Sequence, residues 1–376
     1  MRILIYTHSW YPFVSGITHR YTQIIEQLKC DNNIVLMTPY DSPEYDGITT
    51  IRIPGCEIPS VFLNPGDKRE SRIGDPSHYF QIFNTILKTC IDYKIDIIHG
   101  SGPDGIQLLL KSVSIAYNIP LVMMYHTNMV AYCRDNPIAR DVGIIAQQFA
   151  SITAPPDLLV LPSKAYYDDL ITDNIIPQYQ PYYIIPLCVD QSIFYKTEPT
   201  KSTQWTPNKT RLLYVGRIEI EKSIDTIVKT MDDSMCLCVV GQGNDKERLS
   251  AMGKDVRFIG LVNSSELRYW YSSCDIFVMP SGTETLGFVT LEAMACGAPI
   301  CAYNAGGTTE IIEHNYNGLL FDNSTQLKQH IRNLVNDVRF ARQMSTNGLD
   351  FVKNKTISNS VNGLFRQYKK LVKSTI

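Results

Sequence analysis

Two segments of the chain carry cations and carboxylates at spacings that suit a phosphorylated ligand. In the first, Val215-Gly216-Arg217-Ile218-Glu219-Ile220-Glu221-Lys222-Ser223, a buried strand ends in glycine and two cations precede a helix. A lysine at a helix start meets the partial positive charge of unpaired N–H groups, an unfavourable placement of about 0.3–1 kcal/mol, and a bound anion reverses the sign. Arg217 can offer two parallel N–H donors to phosphate oxygens and Lys222 adds a point charge, so the two together suit a diphosphate. The competing reading is a surface ion pair of Arg217 with Glu219 or Glu221, and the fragment alone does not separate them. In the second segment, Asp275 to Pro299, a strand, a small-residue loop, a helix and a Gly-x-Pro stop follow one another. Glu284 falls on the loop and Glu292 inside the helix, so they address different parts of one ligand and are not a close acid/base pair. Gly287 and Phe288 at the helix start would offer free backbone N–H groups to phosphate oxygens. Glu292, among Leu291, Ala293, Met294 and Ala295, needs a partner because an unpaired buried carboxylate is costly. A ribose diol could supply it, and so could a structural ion pair.

These loops need rigid strands behind them. Short apolar runs alternate with amphipathic stretches throughout, the pattern of parallel sheets covered by helices on both faces. Strands are expected at 2–7, 33–38, 48–53, 95–100, 120–125, 157–161 and 182–186, and a second series at 211–215, 235–240, 256–260, 275–280, 299–303 and 318–321. Helices at 324–335, 337–350 and 357–372 close the chain. The division expected is a first domain over 1–190, a linker over 191–210 rich in polar and turn-forming residues, a second domain over 211–356, and a last helix, 357–376, crossing back to the first domain. Two such α/β domains place a cleft between the carboxyl ends of two parallel sheets, where ligands bind.

The 376 residues suit about two domains. With 35 Lys and Arg against 37 Asp and Glu, the net charge of −2 lacks the broad basic field of nonspecific nucleic-acid binding, so no nucleic-acid partner is expected. The ten cysteines contain no Cys-x-x-Cys pair and read as reduced, mostly buried thiols. The N-terminus enters a strand and no apolar run is long enough to span a bilayer, which points to the cytoplasm. His8, His19, His78, His99, His314 and His330 show no metal-ligand spacing, and no acidic cluster stands beside the motifs, so neither a metal nor another cofactor is expected. Taken alone, His126 at the end of an apolar strand reads as a hydrogen-bonded core histidine.

Gly216-Arg217 with Glu221-Lys222, then Glu284 and Glu292 in an E-x7-E spacing, then Ala305-Gly306-Gly307-Thr308-Thr309-Glu310, resemble the family 4 retaining glycosyltransferases of GT-B fold. Tyr11-Pro12-Phe13-Val14-Ser15-Gly16, Tyr125-His126-Thr127-Asn128 and Ile185 to Asp190 extend the resemblance over nearly the whole chain. Within the family the motifs are most similar to the sulfolipid synthases and related glycolipid glycosyltransferases. The resemblance implies that Arg217 and Lys222 hold the diphosphate of a nucleotide-sugar donor, Glu284 contacts the sugar hydroxyls and Glu292 holds the ribose. It implies donor contacts from Gly216, Leu286, Gly287 and Phe288, a place for His126 beside the donor sugar, and an approach of the Gly16 loop to the phosphates. Ser15 stands where the family has the first of two glycines, and no extra cation is assigned to a sulfonate. A metal-independent, retaining transfer of a hexose is therefore expected, from a UDP-sugar first or GDP-mannose next, to a lipid or glycan hydroxyl; Lys68, Arg69 and Arg72, with Arg134 and Arg140, could touch anionic headgroups in a weak peripheral contact at a membrane, but each cluster falls short of a polybasic tract and reads first as a solvated loop. An epimerase of the same fold and a non-catalytic sugar-nucleotide binder are the competing readings.

Overall fold

The computed structural model describes residues 1–12, 15–40, 45, 47–53, 76–128, 147–198 and 205–375. Phe13, Val14, Lys68, Arg69, Arg72, Arg134 and Arg140 lie outside the described residues. The chain divides into two compact units, Met1–Ile185 with Ser360–Ile376, and Pro186–Asn359.

Among the described residues the first unit has seven strands: β1 (Arg2–Tyr6), β2 (Asn33–Thr38), β3 (Thr49–Arg52), β4 (Ile97–Gly102), β5 (Leu121–Tyr125), β6 (Leu158–Leu161) and β7 (Tyr182–Ile184). All are parallel, in the order β3-β2-β1-β4-β5-β6-β7. β4 and β5 are buried at every residue, so β5 reads as an unbroken apolar run and β4 as apolar and small residues around the buried His99, and neither alternates. Leu4 lies between Val35 and Ile98 in register. The strand order reverses direction between β1 and β4, so the loops leaving these two strands diverge and open a crevice at their carboxyl ends. At the opposite end the Arg2 N–H donates to Asp96 at 2.8 Å and the Arg2 guanidinium pairs with the same carboxylate, fixing β1 beside β4.

The second unit repeats the plan with six parallel strands: β8 (Thr210–Val215), β9 (Met235–Val240), β10 (Val256–Gly260), β11 (Ile276–Met279), β12 (Ile300–Tyr303) and β13 (Leu319–Phe321), in the order β10-β9-β8-β11-β12-β13. Its reversal falls between β8 and β11. There Arg211 donates to Asp275 from its N–H at 2.8 Å and from its guanidinium at 2.6 Å, the same clamp at the same place as in the first sheet.

The final helix, Ile357–Thr375, buries Ser360, Val361, Gly363, Leu364 and Tyr368, a stripe with helical spacing, against the first unit. Arg20, buried on the helix Gly16–Leu28, donates to Ser360 Oγ at 2.7 Å. Tyr368 Oη bonds His99 Nδ1 on β4, while His99 Nε2 faces Tyr21 Oη at 3.5 Å. Burial, and secondarily Arg20, holds the His99 imidazole down at about 3, so the ring is neutral and uses both nitrogens in hydrogen bonds. Tyr368→Phe leaves one of them without its partner in a dry interior. The expected cost is about 1–3 kcal/mol, read as a lower urea midpoint with an unchanged slope.

Candidate active site

At the carboxyl end of β8 the chain turns through Gly216, whose φ is +150°. A Cβ there would stand 2.7 Å from Tyr214 Oη, which donates to the Arg217 carbonyl at 2.9 Å. The loop after β9 lies flat on this turn. Cβ atoms at Gly241 and Gly243 would stand 1.9 Å from Gly216 O and 2.1 Å from Ile218 O, so both positions exclude any side chain. Ile218 N–H donates to Gln242 O at 2.8 Å and Asp245 N–H to Ile218 O at 3.0 Å, completing the bracket. Sequence reasoning passed over these two glycines; the signal was Val239-Val240-Gly241-Gln242-Gly243 leaving a buried strand.

The turn continues into a short 3₁₀ segment, Ile220–Lys222, then Ser223 in the left-handed region at φ 53°, then the helix Asp225–Thr230. Lys222 Nζ lies 2.6 Å from Glu284 Oε1, with the two side chains only 13% and 19% exposed. Arg217 Nη2 lies 3.1 Å from Glu221 Oε1 and its side chain is 44% exposed. Glu219 instead accepts from the backbone and side-chain N–H groups of Asn244, at 3.3 and 3.1 Å. Of the two surface partners open to Arg217 in the sequence, Glu221 is the one it takes.

Glu284 is delivered by the loop after β11, across the strand-order reversal from Lys222. The loop after β12 grips its backbone: Gly307 N–H donates to Glu284 O at 2.7 Å, and Cβ atoms at Gly306 and Gly307 would stand 2.6 Å from Glu284 O and 2.4 Å from Thr285 O. Leu286 is buried beneath the loop. Gly287, at φ +72°, turns the chain into the helix Phe288–Ala295. Among the described residues none accepts from the N–H groups of Gly287, Phe288 or Val289, and the buried Thr290 hydroxyl has no partner there either. These are the donors a phosphate or sugar oxygen would meet. Further along, Glu292 Oε2 accepts from Tyr271 Oη at 2.9 Å, on the helix Ser264–Ser273. Burial pushes the Glu292 carboxyl up to about 7, opposed by the tyrosine bond. Its partner in this state is thus a hydroxyl and not a cation.

Gly16 and His126 belong to the first unit. Gly16 opens the helix Gly16–Leu28, and a Cβ on it would meet nothing within 4 Å. Ser15 is the N-cap, its Oγ accepting from Thr18 N–H at 3.2 Å, which gives a physical reason for a hydroxyl residue where paired glycines are the family pattern. His126 directly follows β5, edge-on to Tyr21 with ring centroids 5.4 Å apart. Burial first, then His8, His99 and Arg20, hold its imidazole well below the usual range, so it is neutral. Among the described residues no group of three His, Cys, Asp or Glu is arranged to hold a metal ion.

Residues 196–351 match the family model described as glycosyl transferases group 1. The chain is 27% identical to the sulfoquinovosyl transferase of Arabidopsis thaliana over 325 residues, 82% of this chain and 60% of that protein, so it spans less than two thirds of that relative. It is 24% identical to the GDP-mannose-dependent alpha-mannosyltransferase of Corynebacterium glutamicum over 334 residues, 86% and 77% of the two chains. It is also 24% identical to the alpha-monoglucosyldiacylglycerol synthase of Acholeplasma laidlawii over 381 residues, 92% and 91%. The solved structure of HepE from Anabaena, in complex with UDP and glucose, shares the fold with a TM-score of 0.76 at 18% identity, covering 98% of this chain and 99% of that one. Two parallel-sheet units and the likeness to this solved structure give the chain the GT-B fold, and its residues 196–351, which hold the glycine-bracketed ion pair at the reversal of the second sheet, match the group 1 glycosyl transferases.

Proposed function

We propose that the chain transfers a hexose from a nucleoside diphosphate donor, a UDP-sugar first and GDP-mannose next, to a hydroxyl of a lipid or glycan, with retention at the anomeric carbon and without a metal. The observation that carries this reading is the Lys222 and Glu284 pair, held 2.6 Å apart by two bracketed loops beside the N–H groups of Gly287 and Phe288, which meet no acceptor among the described residues. A diphosphate entering there meets Lys222, Arg217 and the helix N-terminus, and frees Glu284 to accept from sugar hydroxyls. Fixed donors of this kind act where negative charge develops as the bond between the anomeric carbon and the phosphate oxygen breaks. In a front-face transfer the acceptor oxygen bonds the same carbon face and its proton passes to the departing phosphate oxygen, so that no carboxylate nucleophile is required. Two of the relatives carry alpha in their names, and an alpha product formed from an alpha-linked donor is a product of retention. His126, neutral and next to the end of β5, is assigned to the sugar, and the Gly16 loop to the phosphates. Among the described residues no helix is long and apolar enough to cross a membrane, and a lipid acceptor is reached in this reading by peripheral contact.

Glu292 is assigned to the ribose diol. Its carboxylate form accepts from two hydroxyls, whereas Gln offers one oxygen. The test is thermal shift of the protein with UDP-glucose and GDP-mannose, because a bound donor stabilises in proportion to its affinity. The wild type is expected to shift with one of them, and Glu292→Gln to bind that donor about tenfold more weakly, equivalent to about 1.4 kcal/mol. With the carboxyl held near 7, donor affinity is expected to fall as pH drops from 8 to 6, and that pH dependence to vanish in the variant. No shift with either donor overturns the reading; equal affinity in the variant removes the ribose role alone.

A further inference from the structure

The first sheet has its own reversal, between β1 and β4, and its carboxyl edge carries a second polar cluster that none of the assignments above uses. His8 follows β1 and Asp104 follows β4. Asp104 Oδ1 accepts from the N–H groups of Ile106 and Gln107 at 3.0 and 3.3 Å, which fixes the carboxylate at the start of the helix Ile106–Tyr117. Its Oδ2 accepts from Tyr6 Oη at 2.7 Å and keeps one acceptor position open. His8 Nδ1 is 3.2 Å from the buried Ser101 Oγ, and 3.8 Å from Asp104 Oδ2, too far for a direct hydrogen bond. The two side chains are 20% and 19% exposed, so they meet solvent at the crevice while their supports, Tyr6 and Ser101, are buried. Burial pushes the Asp104 carboxyl up to about 6 and the His8 imidazole down to about 4, so they stand as a carboxylate and a neutral ring and not as an ion pair.

We propose that Asp104 and His8 bind the alcohol group of the acceptor, with Asp104 Oδ2 accepting from the hydroxyl and His8 Nε2 engaging the oxygen next to it. This rests on the transferase reading and extends it to the residues of the first unit that select a hydroxyl-bearing acceptor. A carboxylate whose Oδ1 is clamped by two backbone donors is oriented before the ligand arrives, and the lone pair that Oδ2 keeps open beside the Tyr6 hydroxyl is what a neutral alcohol can use. The assignment is one of binding; the proton of the hydroxyl leaves with the phosphate, as above.

The test uses the full chain with its preferred donor, and two acceptors: dioleoylglycerol in phosphatidylcholine vesicles, and methyl α-glucoside. Asp104→Asn keeps an oxygen for Ile106 and Gln107 but replaces the accepting position with a donor. It is expected to raise the acceptor KM at least tenfold in whichever arm is active, with the donor Kd unchanged within twofold. His8→Phe is expected to raise the same KM by a smaller factor. Tyr6→Phe breaks the same internal bond while leaving the charge on Asp104, and is expected to move melting temperature but not KM. An unchanged KM in Asp104→Asn, or a rise that Tyr6→Phe reproduces, overturns the proposal. So does a wild type that binds donor yet saturates with neither alcohol, whereas a wild type that binds no donor overturns the transferase reading beneath it.

Discussion

Lys222→Ala is expected to lower sugar transfer by about 10²–10³, the loss that follows removal of one preorganised donor to a developing negative charge. The lysine is four-fifths or more withdrawn from water and its ammonium is already aimed by Glu284, so its position costs little to establish when a diphosphate arrives. Substitution leaves Glu284 without a counter-charge, next to the phosphates it would then repel, so donor affinity should fall along with turnover. Lys222→Arg keeps the charge but spreads it over a planar fork that does not fit a point-charge site, and should recover only part of the rate. Nucleotide release at saturating donor, with circular dichroism as the control on folding, measures the effect. Turnover within threefold of wild type in a folded Lys222→Ala protein would remove the diphosphate role of this residue, and with it the main support for the proposed chemistry.

The second large effect is expected at a position that touches no ligand in this reading. Gly241→Ala forces a methyl group to 1.9 Å from the Gly216 carbonyl oxygen, at a φ of +143° that alanine strongly disfavours. Both atoms belong to backbone, so no side-chain rotation relieves the clash; the loop after β9 must lift from the loop after β8. A loss of stability of about 2–4 kcal/mol is expected from strain and lost packing together. Because the displaced turn carries Arg217 and Lys222, donor affinity should fall more than stability alone explains. Chemical denaturation gives the first quantity and donor titration under folding conditions the second. A variant with wild-type midpoint and affinity would show that the bracket is not required.

The strands were the most legible part of this molecule, and the reason is local. β5, β9 and β11 are covered on both faces, so each announces itself as a short apolar run between turn residues without help from distant sequence. The closing helices Ser324–Asn336, Val338–Val352 and Ile357–Thr375 were equally plain, since each buries one stripe at helical spacing. What could not be read are the pairings between loops. Nothing in the segment around Lys222 shows that its ammonium meets Glu284 across the reversal, or that Glu292 is answered by Tyr271 from another helix. Such partners are set by strand order, which has no periodic signature. The same holds for Gly241 and Gly243, whose lack of a side chain matters only because another loop lies against them, and for His8 and Asp104, which come from β1 and β4 and meet because those strands are neighbours.

Arg2 with Asp96 and Arg211 with Asp275 tie together the two strands that flank the reversal of each sheet, at the amino-terminal rim, away from every loop discussed above. Anchored there, neighbouring strands keep their register whatever happens at the far rim, where insertions, new charges and new hydroxyl-reading side chains can be tried without the sheet slipping. One riveted frame, used twice in a single polypeptide, can in this way support two rims of unrelated chemistry and let each change at its own pace.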